Sequence, residues 1–319
     1  MRKILVTGCA GFIGSHLCEL LLSKNFVVIG VDNFDPFYSK ELKEKNLSLF
    51  SSHPNFRFYE LDIVEGMQSI LEADIEVVVH LAAKAGVRPS ILEPMEYIKV
   101  NIAGTQKVHE FMQANDIGKF IFASSSSVYG NNKSIPYKEA DRVDNPISPY
   151  ASTKKAGELM NYTFHHLRKI DVINLRFFTV YGPRQRPDLA INKFIGKIDR
   201  NEQLELFGDG QSARDYTYIS DTVDGIYKAL VYCTDNSNFY LTVNLGNSTP
   251  IKLIDLVDTI YNNMGKKKNV IFTAMQPGDV DITFADIELA KTLLNYNPVI
   301  DLSTGIRNFI KWRQQQNEK

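Results

Sequence analysis

A short apolar run near the start of this 319-residue chain, Ile4-Leu5-Val6, passes into Gly8-Cys9-Ala10-Gly11-Phe12-Ile13-Gly14, and then into Leu17, Leu20, Leu21 and Leu22 at helical spacing. The order is strand, glycine loop, helix. Glycines permit a tight turn and a close approach to phosphate, and the helix N-terminus offers unpaired amides and a positive dipole end to the anion. A second strand, residues 26–31, ends at Asp32, whose carboxylate accepts ribose hydroxyls and repels a 2′-phosphate. This opening predicts a dinucleotide site and favours NAD over NADP.

The pattern then repeats. Strand-like runs at 56–61, 77–81, 120–122 and 173–176 end respectively in Asp62-Ile63, in Ala82-Ala83-Lys84-Ala85-Gly86-Val87-Arg88, in Ala123-Ser124-Ser125-Ser126-Ser127 and in 177–182. Helical patterns at 97–112 and 150–167 lie between them. Alternation of this kind predicts an α/β fold with a Rossmann-type doubly wound parallel sheet, whose ligands lie beyond the strand C-termini. After Pro183 comes a polar loop, Arg184-Gln185-Arg186-Pro187-Asp188, followed by shorter elements. We expect residues 1–182 to form the dinucleotide-binding domain and 183–319 mainly a smaller, interleaved substrate domain. A segment near 215–245 should return to the first, because 221–232 has the periodicity of a sheet-covering helix and 242–244 is strand-like.

A net charge of −1 argues against nucleic-acid or membrane-surface partners recognised through charge. Cys9, Cys18 and Cys233 lack metal-ligand spacing and are too few for a disulfide framework, so no metal site is expected and the cytoplasm is the natural compartment. Thr7-Gly8 interrupts the N-terminal apolar run before it reaches signal-peptide length, and no run approaches the roughly 18 apolar residues of a membrane span.

The chemistry concentrates at 148–155. Ser148 suits a helix N-cap and Pro149 its first position, which puts Tyr150 and Lys154 on one helical face. An ammonium one turn away favours the phenolate, making Tyr150 an acid/base candidate. On spacing alone an ordinary amphipathic pair serves equally well. His80 ends a buried-looking strand and reads as a structural histidine; His165-His166 has no partners at metal spacing, and Lys266-Lys267-Lys268 reads as a solvated turn.

Together with Val128-Tyr129-Gly130 after the serine run and Arg214-Asp215-Tyr216-Thr217-Tyr218-Ile219, these stretches resemble the extended short-chain dehydrogenase/reductase family over nearly the whole chain. Within it, His80 to Arg88, Leu175 to Pro183 and Arg186-Pro187-Asp188 look most like the nucleotide-sugar 4-epimerases that act on UDP-glucuronate. The resemblance implies Ser125, Tyr150 and Lys154 as the catalytic set, with Tyr150 the base and Lys154 on the nicotinamide ribose. It implies a cofactor lining of Gly8, Gly11, Phe12, Ile13, Gly14, Asp32, Asn33, Asp62, Ile63, Leu81, Ala82, Ala83, Lys84, Asn101, Ser124 and Phe178. On the UDP-sugar side it implies Arg88, Ser126, Ser127, Thr179, Arg186, Asp188, Leu189, Phe207, Arg214, Gln276 and Asp279. Arg214 matches the family's pyrophosphate arginine, and Phe207 a position near the uracil. Gln276 replaces an arginine that many glucose-type 4-epimerases carry there. A homodimer through helices near 97–112 and 150–167 is also implied.

The residues after Ser125 choose among reactions of a shared 4-keto sugar. Related 4,6-dehydratases place Asp-Glu there, and decarboxylating relatives keep the Glu; this chain has Ser126 and Ser127. Simple epimerisation of UDP-glucuronate and UDP-galacturonate is therefore expected. A uronate 4-ketone is a β-keto acid that loses CO₂ when its carboxylate bond aligns with the carbonyl π system, and Ser126, Ser127, Thr179, Arg88 and Arg186 are candidates to prevent that alignment. A UDP-glucose or UDP-N-acetylhexosamine 4-epimerase and a non-catalytic NAD sensor are the alternatives.

Overall fold

A computed structural model describes residues 1–274 and 280–317. Its strands are β1 (Lys3–Thr7), β2 (Val27–Asp32), β3 (Phe56–Glu60), β4 (Ile75–His80), β5 (Lys119–Ser125), β6 (Asp171–Phe177), β7 (Thr179–Tyr181), β8 (Leu204–Phe207), β9 (Ala213–Tyr218), β10 (Tyr240–Leu245), β11 (Pro250–Lys252) and β12 (Val270–Thr273). Seven form one parallel sheet in the order β10-β6-β5-β4-β1-β2-β3. The doubly wound expectation is borne out. The order reverses between β1 and β4, where such sheets open a crevice beyond their C-terminal ends.

Continuous apolar strands follow from cover on both faces. Ile4 and Val6 pack with Leu17 and Leu21 of the Phe12–Ser23 helix and with Ile226 and Leu230 of the Ile219–Asp235 helix. Leu5, between them, points the other way, to a cluster containing Val108, Phe111, Met112 and Phe164. Residues 219–235 thus supply a covering helix and Tyr240–Leu245 the edge strand β10, which pairs with β6 from Tyr240↔Val172 to Leu245↔Phe177.

The Pro149–Arg168 helix lies close to the sheet because Gly157 faces Phe122; a Cβ there would meet that ring at 2.4 Å. This approach brings the helix start to the C-terminal end of β5. The pattern expected as one helix over 97–112 is instead a short Pro94–Tyr97 helix, a π-helical Ile98–Ala103 and a Gly104–Ala114 helix. Asn101, on the π turn, extends its side chain to the loop after β4.

Beyond β6 the chain builds a three-stranded sheet, β11-β9-β7, and a parallel pair, β12-β8. Fully buried Asp215 joins these parts: its carboxylate accepts the amides of Asn247 (2.7 Å), Ser248 (3.0 Å) and Ala285 (3.0 Å).

Candidate active site

The loop after β1 has the geometry of an anion cradle. Gly8 adopts φ +73°, and a Cβ on Gly14 would fall 2.0 Å from the Gly8 carbonyl oxygen. Only glycine admits that closeness, which lets the Phe12–Ser23 helix begin against the crevice. Asp32, at the end of β2, accepts the amides of Ala10 (3.1 Å) and Phe34 (2.9 Å). Burial pushes its carboxyl up, while Lys43 and the two amides oppose that shift. Asn33 donates to Asp62 at 2.9 Å, closing this end of the wall.

The crevice measures about 510 Å³. Gly8, Gly11, Phe12, Ile13, Gly14, Asp32, Asn33, Asp62, Ile63, Leu81, Ala82, Ala83, Lys84, Ser124 and Phe178 all line it. Asn101 does not. It is buried, accepts the Lys84 amide at 2.8 Å, and donates to the Lys84 carbonyl (3.0 Å) and Thr153 (2.9 Å), so it shapes the loop from behind. Ser124 contributes wall only; its hydroxyl donates to Glu158 at 2.6 Å.

Ser148 caps the long helix by accepting the Ala151 amide at 3.1 Å, and the Tyr150 amide donates to Ser90 Oγ at 3.0 Å. Edge-on packing with Tyr97 at 6.2 Å further fixes the Tyr150 ring, and Tyr97 is itself tied by its hydroxyl to the Ala85 carbonyl. Ser125 and Tyr150 line the same crevice, and the Ser125 hydroxyl acts to lower the titration of the phenol. Ser125 Oγ also accepts the Ser127 amide at 3.2 Å, capping the turn that carries Ser126 and Ser127.

Lys154 is 4 % exposed, donates to the Ala123 carbonyl at 2.7 Å, and lies 6.0 Å from the Tyr150 ring centroid. An ammonium carries three donors, so most of its hydrogen-bonding capacity is left to a ligand in the crevice. The electrostatics differ from the simple sequence expectation. Burial lowers the Lys154 ammonium to about 7 and pushes the Tyr150 phenol up; the Ser125 hydroxyl and the Arg186 charge pull the phenol back. Desolvation is the largest influence on both groups, and the charge acting on the phenol comes from Arg186, which the i, i+4 spacing does not reveal.

Ser126, Ser127, Thr179, Arg186, Leu189 and Arg214 line the same crevice. Asp188 grips Arg186 with two bonds, at 2.9 and 2.7 Å, acting from behind the wall. Arg214 donates to the Ala213 carbonyl at 2.9 Å. Arg88 and Phe207 lie off the wall, with the guanidinium 4.9 Å from the ring centroid. Gln276 and Asp279 fall outside the described residues. Sequence reading missed Asp35, Phe37, Tyr38, Lys43, Val280 and Thr283, which also line the crevice. Lys43 sits on a strongly polar helix, Lys40–Ser48, where nothing local separates it from its solvated neighbours. The aromatic pair Phe37-Tyr38 so soon after Asp32 was the one available signal. His80 is structural as expected: buried, bonded to Thr7 at 2.7 Å and Thr105 at 3.1 Å, and held neutral by desolvation.

A glycine cradle, an acid at the second strand end and a buried Tyr/Lys pair beside a serine run now stand in one crevice. Residues 5–309 match the family described as GDP-mannose 4,6 dehydratase. The chain belongs to that family. Among members of known sequence, the UDP-glucuronate 4-epimerase of Thermodesulfobacterium geofontis is 40% identical over 322 residues, covering 100% of this chain and 98% of that one. The crystal structure of UDP-glucuronic acid 4-epimerase from Bacillus cereus in complex with UDP-glucuronic acid and NAD gives a TM-score of 0.92 at 37% identity, covering 99% of this chain and 100% of that one. A UDP-N-acetylglucosamine 4-epimerase from Methanobrevibacter ruminantium gives 0.89 at 31% identity, covering 99% of each chain. The likeness to extended short-chain dehydrogenase/reductases is borne out, and this member of the GDP-mannose 4,6 dehydratase family shares its whole length with epimerases.

Proposed function

We propose that the protein is an NAD-dependent 4-epimerase that interconverts UDP-glucuronate and UDP-galacturonate. The observation that carries this reading is the Ser125-Ser126-Ser127 turn, hydroxyls without a carboxylate, in one crevice with Tyr150, Thr179 and Arg186. The wall therefore offers no side chain at 126 or 127 to take the C5 proton or protonate a C6 leaving group, as dehydration of the ketone would need. Thr179 and the two serines supply short donors for a carboxylate, and Arg186, fixed by Asp188, supplies charge.

The residues fit the cofactor. Gly8 and Gly14 leave room for its diphosphate, Asp32 stands at one ribose, and Lys154 holds unused donors for the other. When bound, NAD supplies a hydride acceptor that becomes the donor for the return step. Tyr150 takes the proton from the C4 hydroxyl, with Ser125 polarising the same oxygen; Lys154 stabilises the phenolate. The 4-keto sugar turns over in the crevice, and Tyr150 returns the proton to the oxygen on the other face. Tyr150 thus ends each cycle as it began.

The B. cereus enzyme is crystallised in complex with UDP-glucuronic acid and NAD, which supports the same ligands here. The likeness to a UDP-N-acetylglucosamine 4-epimerase keeps an N-acetylhexosamine as the second reading. A product assay across UDP-glucuronate, UDP-glucose and UDP-N-acetylglucosamine decides: faster turnover of UDP-glucuronate is expected, and equal or faster turnover of either other sugar refutes the assignment. In this reading the enzyme works in the cytoplasm, in keeping with three free, buried cysteines and, among the described residues, no helix long and apolar enough to cross a membrane. It works as a homodimer through the helices near 97–112 and 150–167, which expose Ile98 (43 %), Leu159 (57 %) and Leu167 (68 %).

A further inference from the structure

The first turn of the Pro149–Arg168 helix carries amides that no helical carbonyl reaches, and each needs an acceptor from elsewhere. Pro149 has no amide proton to satisfy. The Ala151 amide goes to Ser148 Oγ at 3.1 Å, and the Ser148 carbonyl takes the Ser152 amide at 2.9 Å, the first bond of the helical ladder. Between them, Tyr150 gives its amide to a distant part of the chain: Ser90 Oγ, sixty residues earlier in sequence, at 3.0 Å. Ser90 is fully buried, so it meets no ligand. Its own proton is spent on the Val87 carbonyl at 2.6 Å, which leaves the oxygen to act as an acceptor for Tyr150.

Two further grips on Tyr150 come from the same segment between β4 and β5. The Tyr97 ring packs edge-on against the Tyr150 ring, and the Tyr97 hydroxyl is tied to the Ala85 carbonyl at 3.1 Å. Asn101 donates to the Thr153 hydroxyl at 2.9 Å, which donates in turn to the Tyr150 carbonyl at 2.8 Å. Residues 85–101 therefore hold the amide, the ring and the carbonyl of one residue, while Ala85, Gly86 and Val87 at the start of that segment line the crevice. Of the three grips, only the Ser90 bond acts directly on the backbone of Tyr150.

We propose that Ser90 is a positioning residue for epimerisation: by accepting the Tyr150 amide it fixes the start of the long helix, and with it the point from which the phenol exchanges a proton with the C4 hydroxyl. This rests on the reading of Tyr150 as the acid/base. A phenol moves with the backbone that carries it, and a misplacement of about 1 Å at a reacting group costs on the order of a hundredfold in rate. The glycine cradle, Asp32 and Arg214 are separate from this contact, so ligand affinity does not depend on it.

Ser90→Ala in the full-length protein tests this by removing the acceptor and little else. The kcat for UDP-glucuronate should fall roughly tenfold to a hundredfold, while its KM and the NAD dissociation constant, by calorimetry, stay within about threefold. UDP-glucuronate deuterated at C4 should show an isotope effect on kcat at least as large as in wild type, because the slowed step is the transfer at C4. Hydrogen-exchange mass spectrometry of the unliganded variant should show faster exchange in the peptide covering 148–153. A kcat within about twofold of wild type overturns the proposal, as does a fall matched by equal losses in KM or NAD affinity, a smaller isotope effect, or unchanged exchange at 148–153. Failure of wild type to convert any UDP-sugar would overturn the functional reading instead, and the exchange comparison, which needs no turnover, separates that result from this one.

Discussion

Glu158→Gln probes the buried polar network that holds the catalytic end of β5. Glu158 is 3 % exposed; it accepts Nε and Nη2 of Arg176 at 2.8 and 2.9 Å and the Ser124 hydroxyl at 2.6 Å. Arg176 is equally buried and also reaches Tyr129 at 3.0 Å. Glutamine keeps the shape but removes the charge and turns an amide donor toward a donor of the guanidinium. Breaking one side of such a pair costs about 3–5 kcal/mol, because a desolvated cation loses its counter-charge. For a chain of this length, with an unfolding entropy of about 2.1 cal/mol/K per residue, that is a fall of about 5–7 °C in the thermal midpoint. Burial works against ionisation of Glu158, but Arg176 and Ser124 hold its carboxyl below the usual value. The stabilisation is therefore present above the ordinary glutamate range and lost as pH falls through the folded-state value. Circular-dichroism melts of wild type and variant at neutral pH and at about pH 4 measure both effects. A midpoint within about 1 °C of wild type at neutral pH, or a gap that widens on acidification, would refute the reasoning.

Three further outcomes follow from the site. Tyr150→Phe should abolish epimerisation while leaving NAD affinity within a fewfold of wild type, by calorimetry; activity retained with NAD lost would contradict the assigned role. Burial lowers Lys154 to about 7, whereas an unfolded lysine titrates near 10.4. Between those values the unfolded chain binds more protons, so the stability of the cofactor-free protein should rise with pH by up to about 1.4 kcal/mol per unit, and Lys154→Met should remove that slope in urea melts. Gly14→Ala places a methyl against the Gly8 carbonyl and should eliminate NAD binding by calorimetry.

How far the sequence was legible depended on whether a residue's role is local. The strand, glycine loop and helix announce themselves because the constraint lies within a dozen residues: Gly8 and Gly14 meet each other. The Ser148 cap and the Tyr150/Lys154 pair are likewise one turn of one helix. The π turn at Ile98–Ala103 was invisible because its visible consequence is the Asn101 contact to Lys84, seventeen residues away. Lys43 and Tyr38 were missed for the same reason, since they acquire meaning only when the 33–39 segment meets Lys84 and Arg186 from other loops. The desolvation of Lys154 and Tyr150 also escaped, because spacing shows their nearness but not their burial.

The central claim is that a hydride leaves C4 of a UDP-uronate and returns to the same carbon. Incubating the enzyme and NAD with UDP-glucuronate deuterated at C4, and following the sugar by NMR, tests it most directly. The account predicts UDP-galacturonate with deuterium kept at C4 and the carboxylate intact. Deuterium lost to solvent, or CO₂ released with a UDP-pentose, would contradict it.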